Sequence, residues 1–262
     1  MLKPDKLEKE NAHPRDKDIE FDEGPHIYTV KGKQDYTSVT TWNHSHFAHF
    51  DSEKTIEKII NSGKTEDPKN KYYGMTRESI LESWEKNRVE ASTAGTKTHY
   101  NIECYYNGLE VEDDSIEYAY FKNFKRDNEN LKAYRTEWCV FDEDLKLSGS
   151  IDMVFYDEET KKYCIYDWKR SKGIEYDNNY GKMAITECIN HLPDTNFWHY
   201  SLQLNIYKYI LEKNYGIEID KLCLVVLHPD HPLGNYEVIK VDVLEREVKD
   251  LCEYRKNQLK KK

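Results

Sequence analysis

Asp152 lies in the run LSGSIDMVFY, and Asp167 and Lys169 stand two residues apart in KKYCIYDWK. Both runs are rich in β-branched and aromatic residues, and the turn-like DEETKK separates them, so they predict two antiparallel strands. Residues i and i+2 of a strand project from one face. Asp167 and Lys169 therefore share a side of the sheet, and the hairpin can bring Asp152 alongside. Two carboxylates beside an ammonium suit metal-assisted hydrolysis of a phosphodiester. The carboxylates hold hard divalent cations through oxygen. The cation polarises the phosphate and makes hydroxide available at neutral pH, and the lysine orients the attacking water or offsets charge on the phosphate. The plainer reading is a cross-strand ion pair on an exposed face, and D-x-K alone does not separate the two. The flanks shift the balance. Both acids follow apolar stretches, a buried carboxylate needs a partner or a metal, and Gly149, three residues before Asp152, permits close backbone approach.

Two helical pairs add to this set. His99 and Glu103 are four apart in TKTHYNIECYY, a predicted helix opened by Gly95 and ended by Asn107-Gly108, so they share a helix face. The spacing also suits an ordinary surface contact. Gln203 and Tyr207 are likewise four apart in FWHYSLQLNIYKYILEKNYG, a strongly amphipathic helix with Gly216 at its end. They read either as polar edge residues or as an amide and a phenol that contact a phosphate or support the lysine. Glu137, early on the strand YRTEWCVF, either faces the site or is exposed. His44, His46 and His49 in NHSHFAHF offer a weaker metal-binding alternative, and HPDHP (228–232) reads more simply as a proline-stiffened loop.

The elements that must position these groups follow in order. Residues 1–24 are charged and almost devoid of apolar side chains, which predicts a flexible acidic tail. HIYTV (26–30) and YTSVTTW (36–42) flank the turn KGKQ and predict a hairpin. Helices follow at SEKTIEKIINSG, at RESILESWEKNRVEAS, from Gly95 to Asn107, and at EVEDDSIEYAYFKNFKRDNEN, whose acidic first turn suits the positive end of a helix dipole. After Ala133 the period changes to three strands in a meander. A polar loop (171–196), the amphipathic helix, the near-continuous apolar strand KLCLVVLH, the strand NYEVIKVDV and a helix that turns basic at its end complete the chain. The expected fold class is α/β (α+β), a central mixed sheet flanked by helices.

Composition narrows the classes. The 262 residues carry a net charge of −10, with 38% hydrophobic, 34% charged and 13% aromatic residues. The high charge resembles disorder, but disordered chains are poor in aromatics. There is no apolar run of about 18 residues to span a membrane and no apolar signal core near the start, so an intracellular protein without a membrane partner is expected. The six cysteines are scattered singly, which predicts reduced thiols and no iron–sulfur cluster. The high Lys, Asn and Tyr content suggests an AT-rich genome such as that of a virus or phage. The acidic total argues against nucleic acid at first sight. However, Lys169, Arg170, Lys172 and Lys182 cluster near the proposed site, and local field governs approach.

Taken together, G-S-I-D (149–152) and Y-D-W-K (166–169) resemble motifs II and III of the PD-(D/E)xK nuclease superfamily. The branch they are similar to holds RecB-type nuclease domains, lambda-type exonuclease and the mitochondrial genome maintenance exonuclease. G-T-K-T-H-Y-N-I-E (95–103) resembles its G-T-x-x-H-x-x-x-E helix, Q-L-N-I-Y (203–207) its Q-x-x-x-Y motif, and H-I-Y-T-V-K-G with T-S-V-T (26–40) its N-terminal hairpin. The segments occur in family order across about 26–210. Ile151 stands where the literal motif has proline.

The resemblance implies a restriction-endonuclease-like core within one domain: N-terminal hairpin and helices over 25–94, catalytic core over 95–245, and a basic helix over 246–262. It implies one or two Mg²⁺ or Mn²⁺ ions held by His99, Asp152, Asp167 and the Trp168 carbonyl. Lys169 is the implied catalytic lysine, with Glu103 beside the catalytic set. DNA contacts are expected from Gln203, Tyr207, Arg170, Lys172, Thr96, Ser38 and Thr40. The implied activity is an exonuclease acting on DNA ends or single-stranded DNA, in DNA repair or recombination. An RNA endonuclease of the cap-snatching type and an inactive nuclease-fold DNA-binding protein are the alternatives.

Overall fold

The computed structural model describes residues 3–261 and divides the chain into two units. The smaller is Ala48–Lys97; the larger comprises the residues up to Phe47 and those from Thr98 onward. No helix among the described residues is long and apolar enough to cross a membrane.

The larger unit is built on a mixed sheet. Strands β4 (Leu131–Asp142), β5 (Leu147–Asp157) and β6 (Lys162–Lys169) form the expected meander. β7 (Ile219–Val226) lies parallel to β6, and β8 (Glu237–Val241) pairs antiparallel to β7. The apolar run in β7 reflects its place between two strands and two packed faces. One face is covered by α6 (Asn196–Ile210) and α7 (Glu245–Leu259), with Leu202, Leu204, Ile206 and Leu251 in the core. The other is covered by α5 (Ile116–Asp127), whose Phe121 and Phe124 pack edge-on against Trp168, and by Ile102.

β4 runs along the whole of one edge of β5. The other edge is shared. The two-residue strand β3 (Thr37–Ser38) pairs in parallel with Leu147 and Ser148, and β6 pairs with Met153 to Asp157. Between them, 149–152 have no partner strand on that side among the described residues. This is the G-S-I-D segment. Part of the gap is filled by α6: a Cβ built on Gly149 would stand 2.6 Å from the Tyr207 hydroxyl and 2.9 Å from its ring.

The N-terminal expectations need two corrections. The segment read as a flexible tail contains α1 (Lys6–Glu10) and β1 (Ile19–Asp22), and it straps across β4. Asn107 Oδ1 accepts from Leu7 N at 2.9 Å, and Asp16 accepts from Arg135 at 2.7 Å and from Trp138 Nε1 at 2.9 Å. Most of its charged side chains stay exposed, while half-buried Asp16 is the acid that ties the segment to β4. Second, β2 (Ile27–Val30) pairs with β1, while YTSVTTW divides into β3 and the helix α2 (Val39–His44). Ser38 decides that boundary, because its Oγ accepts from Thr41 N at 3.0 Å and caps the helix. The β-branched residues after it read as strand, but packing of Val39 and Trp42 in the core outweighs that preference.

In the smaller unit, α3 (Ser52–Asn61) is capped by Asp51, and Ile56, Ile59 and Ile80 form its core. The next helix, α4 (Arg77–Tyr106), starts in this unit and is assigned to the larger one from Thr98 onward, and it is unbroken at Gly95. One interior glycine costs about 1 kcal/mol relative to alanine, which a long helix tolerates.

Two outcomes test this architecture. Gly149→Ala should lower stability by roughly 1–3 kcal/mol, because the buried Tyr207 ring has nowhere to retreat; a urea midpoint equal to wild type would refute the close contact. Asp157 closes the β5–β6 turn, accepting from Glu159 N at 2.9 Å and Thr160 N at 3.3 Å and meeting Lys221 Nζ at 2.7 Å. Burial alone would raise its carboxyl, but Lys221 and those N–H groups hold it far below the usual range. A depressed folded-state value gives stabilisation that is complete above the unfolded pKa, about 3.9, and lost as pH falls through the folded value. Asp157→Asn should therefore melt lower at neutral pH and show a flatter acid dependence than wild type. Parallel melting curves down to acid pH would contradict it.

Candidate metal and phosphodiester site

The site forms where β5 and β6 part. Their ladder ends at Met153↔Tyr166. One residue further, the Asp152 carboxylate takes over the role of a strand, accepting from Trp168 N at 2.9 Å. Glu137 stands across from Asp152 on β4, between the pairs Thr136↔Met153 and Trp138↔Ile151. Its φ of 41° is unusual for a non-glycine residue, and such backbone strain persists only where surrounding contacts enforce it. Ser150 Oγ donates to Glu137 Oε2 at 2.8 Å, which aims the other oxygen inward.

α4 supplies the imidazole. His99 Nε2 lies 2.9 Å from the Trp168 carbonyl, so it carries the proton and donates. Nδ1 then faces Asp152 Oδ2 at 3.5 Å and Glu137 Oε1 at 3.6 Å. One ligand atom from each of His99, Glu137 and Asp152 lies within 4.8 Å of the others. Asp167 and Lys169 adjoin this group. Lys169 Nζ is 2.5 Å from Asp167 Oδ2, yet that buried oxygen makes no aligned hydrogen bond.

The electrostatics follow from three carboxylates facing one ammonium and one imidazole. Burial would lower the His99 pKa, but Asp152 and Glu137 outweigh it and push it up to about 9. Burial, then the neighbouring Asp152 charge, pushes Asp167 up to about 6. Asp152 is raised by burial first and by Glu137 next. Lys169 is held above its usual range, since Asp167 and Asp152 outweigh its burial. Carboxylate oxygens and one imidazole nitrogen, its tautomer fixed by a backbone carbonyl, suit Mg²⁺ or Mn²⁺. The donor set therefore fits a divalent cation, which would displace the Nδ1 proton.

The other expected residues divide. Glu103 lies one turn beyond His99, half-buried, and burial, then Glu137, pushes it up to about 7. The Trp168 carbonyl is engaged by His99 rather than open. Tyr207 is 2% exposed, and Gln203 hydrogen-bonds its phenol. Tyr207 thus supports the Gly149 backbone, and the expected DNA contact is corrected on grounds of burial. Arg170 is similarly committed, its Nε donating to Glu117 at 2.7 Å. Ser38 caps α2 and Thr40 is exposed on it, while Thr96 is exposed in the smaller unit. Lys172 is exposed and pairs with Asp230 at 3.1 Å on the surface. The three histidines do not assemble: His46 is buried against Thr186 at 2.9 Å, His44 is exposed, and His49 belongs to the smaller unit. The cysteines are free thiols, three of them in core clusters. Glu137 is the residue that sequence reasoning left open. Counting back from the β4–β5 turn, where Asp142 pairs with Leu147, places it opposite Asp152.

No protein-family model and no curated protein matches this chain. Among solved structures, the chain is similar to one from Eubacterium rectale bearing the name "Putative exonuclease", at 12% identity and a TM-score of 0.38, over 87% of this chain and 79% of that one.

Manganese titration calorimetry tests the donor set. Wild type should bind Mn²⁺, with Asp152→Asn and Glu137→Gln each weakening affinity by about tenfold or more. Wild-type affinity in Glu137→Gln would remove that residue from the set.

Proposed function

We propose that this chain is a divalent-metal-dependent nuclease of the RecB-like PD-(D/E)xK branch, hydrolysing DNA phosphodiesters at ends or in single strands. The observation that carries the reading is the convergence of His99, Glu137 and Asp152 within 4.8 Å beside the Asp167–Lys169 pair. A bound Mg²⁺ or Mn²⁺ would polarise the phosphate and lower the pKa of a water at the site. The chain's own groups do the rest. Asp152 and Glu137 present oxygens fixed by Trp168 N and Ser150 Oγ. His99 presents Nδ1 because its other nitrogen is held by the Trp168 carbonyl. Lys169 places an ammonium where it can orient the attacking water and offset charge developing on the phosphate oxygens. Asp167 keeps that ammonium protonated. Preference for DNA, and for ends or single strands, rests on the motif order and on the lack of any segment resembling a base-reading module.

The test uses 5′- and 3′-labelled single- and double-stranded DNA, with RNA in parallel, in Mg²⁺ or Mn²⁺. Lys169→Ala should lose about 100-fold or more in rate while remaining folded by circular dichroism. Equal residual activity in the two proteins would sink the assignment, and faster cleavage of RNA would move the substrate to RNA.

A further inference from the structure

Lys169 has four rotatable side-chain bonds and ends its strand at the rim of the site, 17% exposed. A flexible ammonium needs more than one contact to hold a fixed direction. Asp167 supplies one, but without an aligned hydrogen bond, so it constrains distance more than direction. The second contact comes from α6, where the Tyr200 ring lies with its centroid 4.4 Å from Lys169 Nζ. An ammonium over an aromatic face is attracted by the ring quadrupole, more strongly where water is partly excluded.

The ring is itself well anchored. Asn43 Nδ2 donates to the carbonyl of His199, the residue before Tyr200, at 2.6 Å. Asn196 ties the start of α6 to the preceding loop, accepting from Glu175 N at 2.8 Å and donating to Gly173 O at 3.0 Å. These bonds fix the helix turn that carries the ring, so the ring can act as a stop for the lysine.

We infer that Tyr200 is a positioning residue for the catalytic lysine, acting through the face of its ring. The inference rests on the nuclease reading for its consequence, though the contact itself does not. A chain labelled with ¹³Cε-lysine gives the direct measurement: the ε-methylene signal of Lys169, assigned with Lys169→Arg, should be shifted upfield by the ring current. The shift should persist in Tyr200→Phe and vanish in Tyr200→Leu. On DNA, Tyr200→Leu should lower kcat by about 10- to 100-fold with KM near wild type, as expected for a misplaced reacting group. Tyr200→Phe, which keeps the ring, should restore most of kcat.

An unshifted lysine signal in wild type overturns the proposal without needing any variant to fold. Equal losses in Phe and Leu overturn it too, since the hydroxyl would then be the working part, as does full kcat in Tyr200→Leu. A wild-type protein inactive on every nucleic acid would defeat the nuclease reading instead, while the ring-current shift would still decide the contact.

Discussion

The Asp152 carboxylate sits in the interior of a sheet where a strand partner should be, and much of the site depends on how that is tolerated. Taking a carboxylate out of water costs several kcal/mol unless hydrogen bonds and opposite charge offset it. The offset here comes from three directions: the Trp168 amide on β6, the His99 imidazole on α4 and the Lys169 ammonium. None of these compensates fully, because Glu137 and Asp167 add charge of the same sign. A cluster held together by geometry but short of positive charge is what a divalent cation would complete. The same parting of strands that leaves Asp152 without a strand partner also needs Gly149 bare, so that Tyr207 can press against the backbone and close the gap.

How much of this was legible depended on the range of the interaction. The meander was readable because its turns and its alternation are local, and from it came the pairing of Asp167 with Lys169. The helix periodicity gave His99. What escaped were contacts between residues far apart whose types carry no local signal. Asp16 looks like a solvated acid until Arg135 and Trp138 are placed on it. Arg170 looks available until the acidic first turn of α5 supplies Glu117. Tyr207 has a hydroxyl and a helical neighbour of the right type, so its spacing alone could not distinguish support from substrate contact. Glu137 was within reach of counting, but its side chain turns inward through a backbone conformation that no propensity predicts.

These pairings also alter the meaning of the charge distribution. The sequence places Lys169, Arg170, Lys172 and Lys182 near the site, which suggests a basic patch on an acidic protein. In the fold, Lys169 is paired with Asp167 and Arg170 with Glu117, while Lys172 shares its charge with Asp230 across an exposed surface where pairing is weak. The patch is thinner than the sequence suggests. On the nuclease reading, with Lys182 the further exposed basic residue, the side chains provide less of the field that would draw in a phosphate backbone than the sequence suggests, and a bound cation would add to it. Substrate affinity and metal occupancy then become linked quantities, since each supplies charge that the other needs. An acidic chain with a buried, anion-rich site is thus compatible with a nucleic-acid substrate, provided positive charge arriving with the metal adds to that carried on the protein surface.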